Sequence, residues 1–203
     1  MASERIESLI AQMTVEEKVG QLGVFADMVR PFAPDVNPEA NVSNADQVLQ
    51  QVREGKVGSL FNGVGAELGR RIQKVAIEES RLGIPVILAA DVIHGMRTVF
   101  PIPLGEAASF EPELARRTAR ATAIEATAAG LHWTYAPAVD IARDQRWGRG
   151  AEGAGEDVVL GCAFAAARVR GFQGDDLRAD DALLATPKHF AAYGAVMAGM
   201  EYN

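Results

Sequence analysis

Residues 84–91 read IPVILAAD, an apolar run that ends in a carboxylate. Because the run is apolar throughout instead of alternating with polar residues, it predicts a parallel strand buried on both faces. Similar apolar runs cover residues 57–61, 131–139 and 182–186. Together the four runs predict a parallel sheet.

Helical patterns separate the four predicted strands. We expect helices over residues 67–81, 111–129 and 156–172, with glycines at or near the ends of the last two. This order of strand, helix and strand is that of a parallel sheet with crossover helices. Further helices precede the first strand. One begins with the capping box TVEE at Thr14, and a loop rich in Pro and Asn follows over residues 30–44.

Two folds share this order of elements, the doubly wound sheet and the (β/α)8 barrel. The turn after the first strand, residues 62–66, reads NGVGA and lacks the GxGxxG spacing of a dinucleotide site. Each strand is followed by polar residues, namely Asn62, Asp91, Asp140, and Lys188 with His189. Barrel enzymes carry their chemistry at that end of the strands, and a whole barrel takes ~250 residues. The sequence therefore predicts an α/β fold, a partial TIM (β/α)8 barrel of about the first four βα units preceded by N-terminal helices.

Composition excludes several classes of partner. The net charge of -7 and the lack of a Lys- and Arg-rich face disfavour nucleic acid. The chain has no run of ~20 apolar residues for a membrane helix, and its start does not read as a signal peptide. It is expected to be cytoplasmic as written, or a mature periplasmic or secreted protein whose signal has been removed. The single Cys162 excludes an internal disulfide, and we expect it to be buried.

Three polar clusters follow the second, third and fourth strands. They are DVIHG (91–95), RDQRWGRGAEGAGED (143–157) and KHFAAYGA (188–195). Barrel geometry would bring these strand ends to one pocket. Sugars present hydroxyl groups that donate and accept hydrogen bonds, together with apolar ring faces. The carboxylates, cations, imidazole and indole of these clusters therefore suit a saccharide pocket.

The same clusters resemble the N-terminal barrel domain of family 3 glycoside hydrolases, particularly bacterial β-glucosidases of the periplasmic type. Three stretches carry the resemblance: SRLGIPVILAADVIHGMRTVFPIPLG (80–105), TYAPAVDIARDQRWGRGAEGAGED (134–157) and KHFAAYGA (188–195). The resemblance implies an enzyme that hydrolyses terminal non-reducing β-D-glucosyl residues with retention. Its substrates would be β-glucosides or oligosaccharides, and it implies no cofactor and no metal.

The resemblance also implies a role for individual residues. Asp91 matches the carboxylate that accepts hydrogen bonds from the sugar in the -1 subsite. Arg149 matches the guanidinium that reaches the same sugar, and Glu152 matches the carboxylate that helps to hold it. Lys188 and His189 match a pair of donors to that ring.

Other residues of the second cluster are expected to support the loop. Arg143, Asp144 and Arg146 resemble the scaffold of the loop rather than ligands. Trp147 can be interpreted as a platform for the sugar or as a packed anchor of the loop.

Simpler interpretations stay open for several of these residues. Asp91 could cap the following turn, and Arg149 with Glu152 could be an ordinary surface ion pair. His94 and His132 lack metal-ligand spacing and are expected to be structural. Only the presence of all three clusters together favours the sugar site.

The chain departs from the family pattern in two places. Gln145 stands where the family usually has Pro, a change expected to loosen the loop that carries Arg149. Met197 and Met200 stand where relatives have an acid and a base. Because the base is missing, we expect that loop to make fewer contacts with the sugar.

Retaining glycosidases need two carboxyl groups about 5 to 5.5 Å apart. In the family the nucleophile lies in an SDW-like or SDH-like motif, which residues 1–203 lack. We therefore expect the nucleophile and the acid/base beyond Asn203, with the later barrel strands and a second α/β domain, so that residues 1–203 alone are inactive. KHFAAYG in place of KHFPGHG favours the β-glucosidase branch, and the β-N-acetylglucosaminidase branch stays as an alternative.

A second alternative is a stand-alone half-barrel, natural or engineered, that binds sugar without hydrolysis. In either case the strands over residues 57–61 and 182–186 would lie at unpaired edges of the sheet. Because unpaired strand edges seek partners, we expect self-association or docking with the missing half of the barrel.

Overall fold

The computed structural model describes residues 2–26 and 45–196, which fall into two compact units divided between Ala89 and Ala90. Both units combine helices with short parallel strands, so the predicted α/β class is confirmed. No helix in the described part of the chain is long and apolar enough to cross a membrane. The loop predicted over residues 30–44, as well as Met197 and Met200, lies outside the described residues.

The first unit begins with two helices and carries three strands. Its elements are α1 (Ala2–Gln12), α2 (Val15–Leu22), β1 (Val24–Ala26), α3 (Ala45–Arg53), β2 (Ser59–Phe61), α4 (Ala66–Lys74), a π-helical turn (Val75–Glu79) and β3 (Ile87–Ala90). The predicted capping box begins α2, because the Glu17 N–H donates to Thr14 Oγ1 at 3.2 Å and the Thr14 N–H donates to Glu17 Oε2 at 2.8 Å.

Strand β2 is paired on both sides by parallel strands. Val24 to Ala26 of β1 align with Ser59 to Phe61, which align in turn with Ile87 to Ala89 of β3. The prediction that residues 57–61 form an unpaired edge is therefore wrong. The sequence did not reveal β1 because its three exposed residues are too few to show a period of two.

The hydrophobic core of the first unit joins α3, α4 and the strands. Helix α3 is amphipathic, since Val48, Leu49 and Val52 are all buried on one face. They belong to a cluster with Val57, Leu60, Ile72, Val75, Ala76, Val86 and Leu88. This burial holds β2 and β3 against the helices.

The second unit carries all three predicted polar clusters. Its elements are α5 (Pro103–Ala107), α6 (Pro112–Ala128), β4 (Trp133–Thr134), two 3-10 turns (Gln145–Trp147 and Gly150–Glu152), α7 (Val158–Gln173), β5 (Leu184–Ala185) and a 3-10 turn (Tyr193–Ala195). Strands β4 and β5 are parallel. They are shorter than the predicted runs because Pro137 has no N–H to donate, and the ladder resumes only as a bridge between Ala138 and Lys188.

Helices α6 and α7 pack closely through small residues. Ala115, Ala119 and Ala123 of α6 are fully or almost fully buried. Gly171 of α7 allows this approach, because a Cβ at that position would lie only 2.6 Å from the Cβ of Ala119. The other face of α7 is open to solvent.

Cys162 lies on that open face, so the prediction that it is buried is wrong. The first turns of α7 are apolar on nearly every side, and the sequence does not show which side packs. In the structure Phe164, with 2% of its surface exposed, takes the buried position instead.

A buried ion pair ties α7 to α5. Arg168 pairs with Glu106, and the two side chains are only 6% and 2% exposed. Thr118 Oγ1 donates a second hydrogen bond to Glu106 at 2.7 Å, and Arg168 Nη1 donates to the Ile93 carbonyl at 3.0 Å. Burial lowers the pKa of Arg168, while the charge of Glu106 opposes that effect. The pair is stable only because its polar groups have partners.

We expect Arg168→Met to lower the free energy of unfolding by about 3 to 5 kcal/mol, because it leaves the Glu106 carboxylate buried without its cation. The measurement is urea denaturation followed by circular dichroism. Arg116→Met is the matched control, since Arg116 pairs with Glu113 at 2.6 Å on the surface and should change stability by under ~1 kcal/mol. Equal losses in the two variants would contradict the assignment.

Strand β5 leaves one side of the sheet open in the described part of the chain. It pairs with β4 on one side, and the Ala185 N–H meets only the Gln173 Oε1 atom, at 3.4 Å. Leu184, which is 40% exposed, lies on this strand. Of the two edges predicted from sequence, this is the one that the structure retains.

The open edge predicts that residues 1–203 self-associate as protein concentration rises. Leu184→Lys should shift the equilibrium toward monomer, because a charge on an edge strand opposes pairing with a second strand. Leu177→Lys, at an exposed position away from the strands, is the control and should not. Sedimentation velocity measures both, and a monomer at every concentration for the unmodified chain would overturn the prediction.

Candidate functional site

The chain after β5 is tied to the chain after β4 by two backbone hydrogen bonds at Lys188. The Lys188 N–H donates to the Pro137 carbonyl at 2.9 Å, and the Val139 N–H donates to the Lys188 carbonyl at 2.6 Å. We call this pair of bonds the Lys188 clamp. The peptide bond between Lys188 and His189 is cis. The clamp brings the KHFAAYGA segment beside Asp140.

The Lys188 side chain forms an ion pair with Asp91. Its Nζ lies 2.5 Å from Asp91 Oδ1, although the two residues are 97 positions apart. Asp91 directly follows β3, and the Tyr135 N–H donates to the carbonyl of the preceding Ala90 at 3.4 Å. The side chain of Lys188 is 15% exposed and that of Asp91 is 35% exposed, so a ligand can still reach the carboxylate. The first and third predicted clusters therefore meet.

The loop after Asp91 is fixed by groups outside it. The Val92 N–H donates to the buried Thr134 Oγ1 at 3.2 Å. The next residue is Ile93, and its carbonyl accepts a hydrogen bond from Arg168 Nη1. The position of Asp91 therefore rests on β4 and α7.

The histidines outside KHFAAYGA have backbone contacts. His94 Nδ1 lies 3.1 Å from the Phe100 carbonyl, and the His132 carbonyl accepts the Leu184 N–H at 3.0 Å. Across residues 2–26 and 45–196, no group of three His, Cys, Asp or Glu side chains could hold a metal ion. The contact of the His94 ring agrees with a structural role, and the role of the His132 side chain stays a prediction.

Residues 143–152 contain two short 3-10 turns, which are separated by Gly148 and Arg149. Asp144 accepts the Arg146 N–H at 2.9 Å and forms an ion pair with its side chain at 2.6 Å, which supports the first turn. Arg143 is exposed. Gly148, with φ of 87°, reverses the chain so that Arg149 precedes the second turn.

Trp147 is packed rather than open to a ligand. It is 5% exposed, and its ring contacts Tyr193 edge-on at 5.2 Å between centroids. A sugar platform needs an exposed ring face. Of the two interpretations left open by the sequence, the structure supports the anchor of the loop.

Arg149 and Glu152 form a bidentate ion pair. Arg149 Nε and Nη2 each donate to one carboxylate oxygen at 2.7 Å, and both side chains are about a third exposed or less. This hydrogen bonding raises the pKa of Arg149 and lowers the pKa of Glu152. The carboxylate therefore stays ionised and fixes the guanidinium plane.

His189 is held by a buried carboxylate and an aromatic ring. Its Nδ1 lies 2.8 Å from Asp140 Oδ2, and the Asp140 side chain is only 2% exposed. Tyr193 meets the imidazole edge-on at 4.7 Å, and the same ring lies 5.5 Å from the Arg149 guanidinium carbon. Tyr193 thus connects the second and third clusters.

Three residues of this site were not predicted as such. In the sequence Asp140 stands out only as a polar residue at a strand end, and Tyr193 only as one residue of the KHFAAYGA cluster. Tyr135 is the third, because its N–H donates to the carbonyl of Ala90 next to Asp91, and burial and the charge of Asp91 raise the pKa of its hydroxyl. Their contacts join residues far apart in the chain, so local spacing gave no signal for them.

The assembled site offers ionic acceptors and donors within one unit. Asp91, Lys188, Arg149 and His189 are each fixed by a partner and are each partly exposed. Such an array matches a ligand that carries several hydroxyl groups, since hydroxyls both donate and accept.

Comparison with known proteins agrees with this chemistry. The model of the glycosyl hydrolase family 3 N-terminal domain matches residues 14–203. A periplasmic β-glucosidase of Salmonella typhimurium is 41% identical over 198 residues, which are 98% of this chain and 24% of that protein. A putative β-xylosidase of Formosa agariphila is 32% identical over 211 residues, 98% of this chain and 28% of that protein. The chain thus spans about a quarter of the length of these relatives.

Solved structures show the same fold. The β-glucosidase of Listeria innocua in complex with glucose is 39% identical with a TM-score of 0.86, over 100% of this chain and 29% of that one. An exo-1,3/1,4-β-glucanase of a Pseudoalteromonas species is 30% identical with a TM-score of 0.78, over 97% of this chain and 25% of that one. The predicted partial barrel is confirmed. Because the model of the family's N-terminal domain matches residues 14–203, nearly the whole sequence, the chain belongs to glycosyl hydrolase family 3.

Proposed function

We propose that this chain supplies the -1 sugar-binding residues of a retaining β-glucosidase that hydrolyses terminal non-reducing β-D-glucosyl residues. The observation that carries the proposal is the 2.5 Å contact between Asp91 and Lys188, which joins two sugar-site motifs in one partly exposed pair. The Salmonella relative is a β-glucosidase by name, and the Listeria structure contains glucose. Both support a glucoside as the substrate.

Each of the proposed sugar-binding side chains contacts the sugar in a different way. Asp91 accepts hydrogen bonds from two sugar hydroxyls or shares one with Lys188. The ammonium of Lys188 carries three N–H donors, of which the contact with Asp91 occupies one. Arg149 donates to the sugar from the edge of its guanidinium group that is not bound to Glu152. Hydrogen bonds to such charged groups are about twice as strong as those between neutral groups.

The carboxylates of this site are proposed to bind or position rather than to catalyse. Asp91, Asp140 and Glu152 each pair with a basic side chain at 2.5 to 2.8 Å. A glycosidase general acid needs a raised pKa, whereas the pKa of Glu152 is lowered by Arg149. We therefore propose that the nucleophile and the acid/base come from parts of the enzyme other than residues 1–203.

In this proposal residues 1–203 are the N-terminal part of a barrel domain. The later barrel strands and a second α/β domain complete the site, and the open edge of β5 is where the rest of the barrel would dock. The chain matches only about a quarter of the length of each relative, which supports this arrangement. The name of the Salmonella relative supports a periplasmic or secreted location for the mature protein.

The direct test is a chimera in which residues 4–203 replace the matching region of the periplasmic β-glucosidase relative. We expect the chimera to cleave an aryl β-glucoside at least tenfold faster than the aryl β-xyloside or the aryl N-acetyl-β-glucosaminide. Residues 1–203 alone should show no turnover, since loss of a covalent nucleophile removes several orders of magnitude of rate.

Three results would contradict this account. Turnover by residues 1–203 alone that disappears on mutating one of their own residues would show that the chain contains its own catalytic group. If the chimera preferred the N-acetylglucosaminide or the xyloside, the protein would belong to a branch of the family other than the β-glucosidases. A folded chimera that binds glucose without any turnover would favour the stand-alone half-barrel.

We further expect Asp91→Ala, Arg149→Ala, Lys188→Ala and His189→Ala each to weaken glucose binding by the chimera about tenfold or more. Each change leaves a sugar hydroxyl without its partner, which costs ~1 to 3 kcal/mol. Isothermal titration calorimetry measures the affinity. Arg178→Ala is the control, because Arg178 is 91% exposed and pairs with surface Asp176. Unchanged affinity in the Lys188 and His189 variants would remove the third cluster from the site.

A further inference from the structure

We propose that Asp140 is a positioning residue that fixes the tautomer and the orientation of His189. The proposal deepens the one above, since the importance of His189 rests on its contact with the sugar. The family resemblance assigned no role to Asp140. The Asp140 side chain is buried, and its carboxylate contacts Nδ1 of His189.

The carboxylate of Asp140 determines which nitrogen of the imidazole carries a proton. An ionised carboxylate can only accept hydrogen bonds, so the 2.8 Å contact requires a proton on Nδ1 of His189. Nε2 then becomes the nitrogen that meets a ligand. In the neutral ring it accepts a hydrogen bond from a sugar hydroxyl, and in the charged ring it donates one.

Asp140 is well placed to impose this choice because its backbone is fixed. The neighbouring Val139 belongs to the Lys188 clamp. On the other side, Gly194 packs so closely that a Cβ there would lie 2.5 Å from the Ile141 carbonyl oxygen and 3.3 Å from Asp140 Cβ. The segment that carries His189 therefore rests directly on the segment that carries Asp140.

The imidazole ring is also held at a second point. Tyr193 contacts it at 4.7 Å with an interplanar angle of 76°. A hydrogen bond at Nδ1 and an edge-on ring contact together fix both the tilt and the rotation of the imidazole. With 28% of the His189 side chain exposed, its free edge is open to a ligand.

The burial of Asp140 gives the pair its strength. A carboxylate that is only 2% exposed keeps few water partners, so it depends on the imidazole N–H. Partners of this kind behind a binding histidine set its tautomer and ring orientation. Asp140 thus acts on the sugar through His189 and without touching it.

Nuclear magnetic resonance of residues 1–203 tests the tautomer without any sugar. The chain has three histidines, so long-range nitrogen–proton spectra of the rings are readily assigned with the help of His189→Ala. At a pH where the ring is neutral, we expect the proton on Nδ1. Asp140→Ala and Asp140→Asn should both abolish the exclusive Nδ1–H form, since neither variant retains an acceptor-only group. Asp176→Ala, at a surface carboxylate, should leave it unchanged.

The second readout is glucose affinity in the chimera. Asp140→Ala should weaken binding about tenfold, and adding it to His189→Ala should weaken binding no further, because a residue that acts only through His189 has nothing left to position. Amide spectra confirm that the variants are folded. If either Asp140 variant fails to fold in residues 1–203, its tautomer is read in the chimera.

The outcomes separate this proposal from the proposed function. An Nε2–H ring in the unmodified chain, an Nδ1–H ring that persists in both Asp140 variants, or additive losses in the double variant would each overturn the role of Asp140. If the tautomer depends on Asp140 but His189→Ala leaves glucose affinity unchanged, the sugar contact of His189 fails while the positioning stands.

Discussion

The Lys188 clamp is the constraint on which the site depends. Two backbone hydrogen bonds, to Pro137 and from Val139, fix the chain after β5 against the chain after β4. That register places the Lys188 ammonium on Asp91 and the next side chain, His189, on Asp140. Without the Lys188 clamp, the same residues would follow the two parallel strands, but Lys188 would not reach Asp91 and His189 would not reach Asp140.

In two side-chain pairs of the site the carboxylate is less exposed than its basic partner. Asp140 is buried beneath His189, and Glu152 fixes the plane of Arg149. Tyr193 touches both His189 and Arg149 and so connects the two pairs. Groups held in this way lose little conformational freedom when a ligand binds, which is how a preformed site gains affinity. The arrangement suits a ligand with a fixed ring and several hydroxyl groups.

The sequence predicted the class of fold and the three polar clusters because these depend on local patterns. The run at residues 84–91 is apolar throughout, and the strand ends are marked by polar residues. It did not reveal β1, whose three residues show no periodicity, or the exposed face of α7 that carries Cys162. The contact of Asp140 with His189 spans 49 positions and depends on register, which no local pattern records.

In the proposed function Asp91, Lys188 and His189 together hold a sugar, and the decisive experiment is a crystal structure of the chimera with glucose. We expect a glucose ring with one hydroxyl within hydrogen-bond distance of Asp91 and Lys188, and another facing Nε2 of His189 while Nδ1 stays on Asp140. A glucose molecule bound elsewhere, with the Asp91–Lys188 pair and the His189 edge unoccupied by sugar, would contradict it.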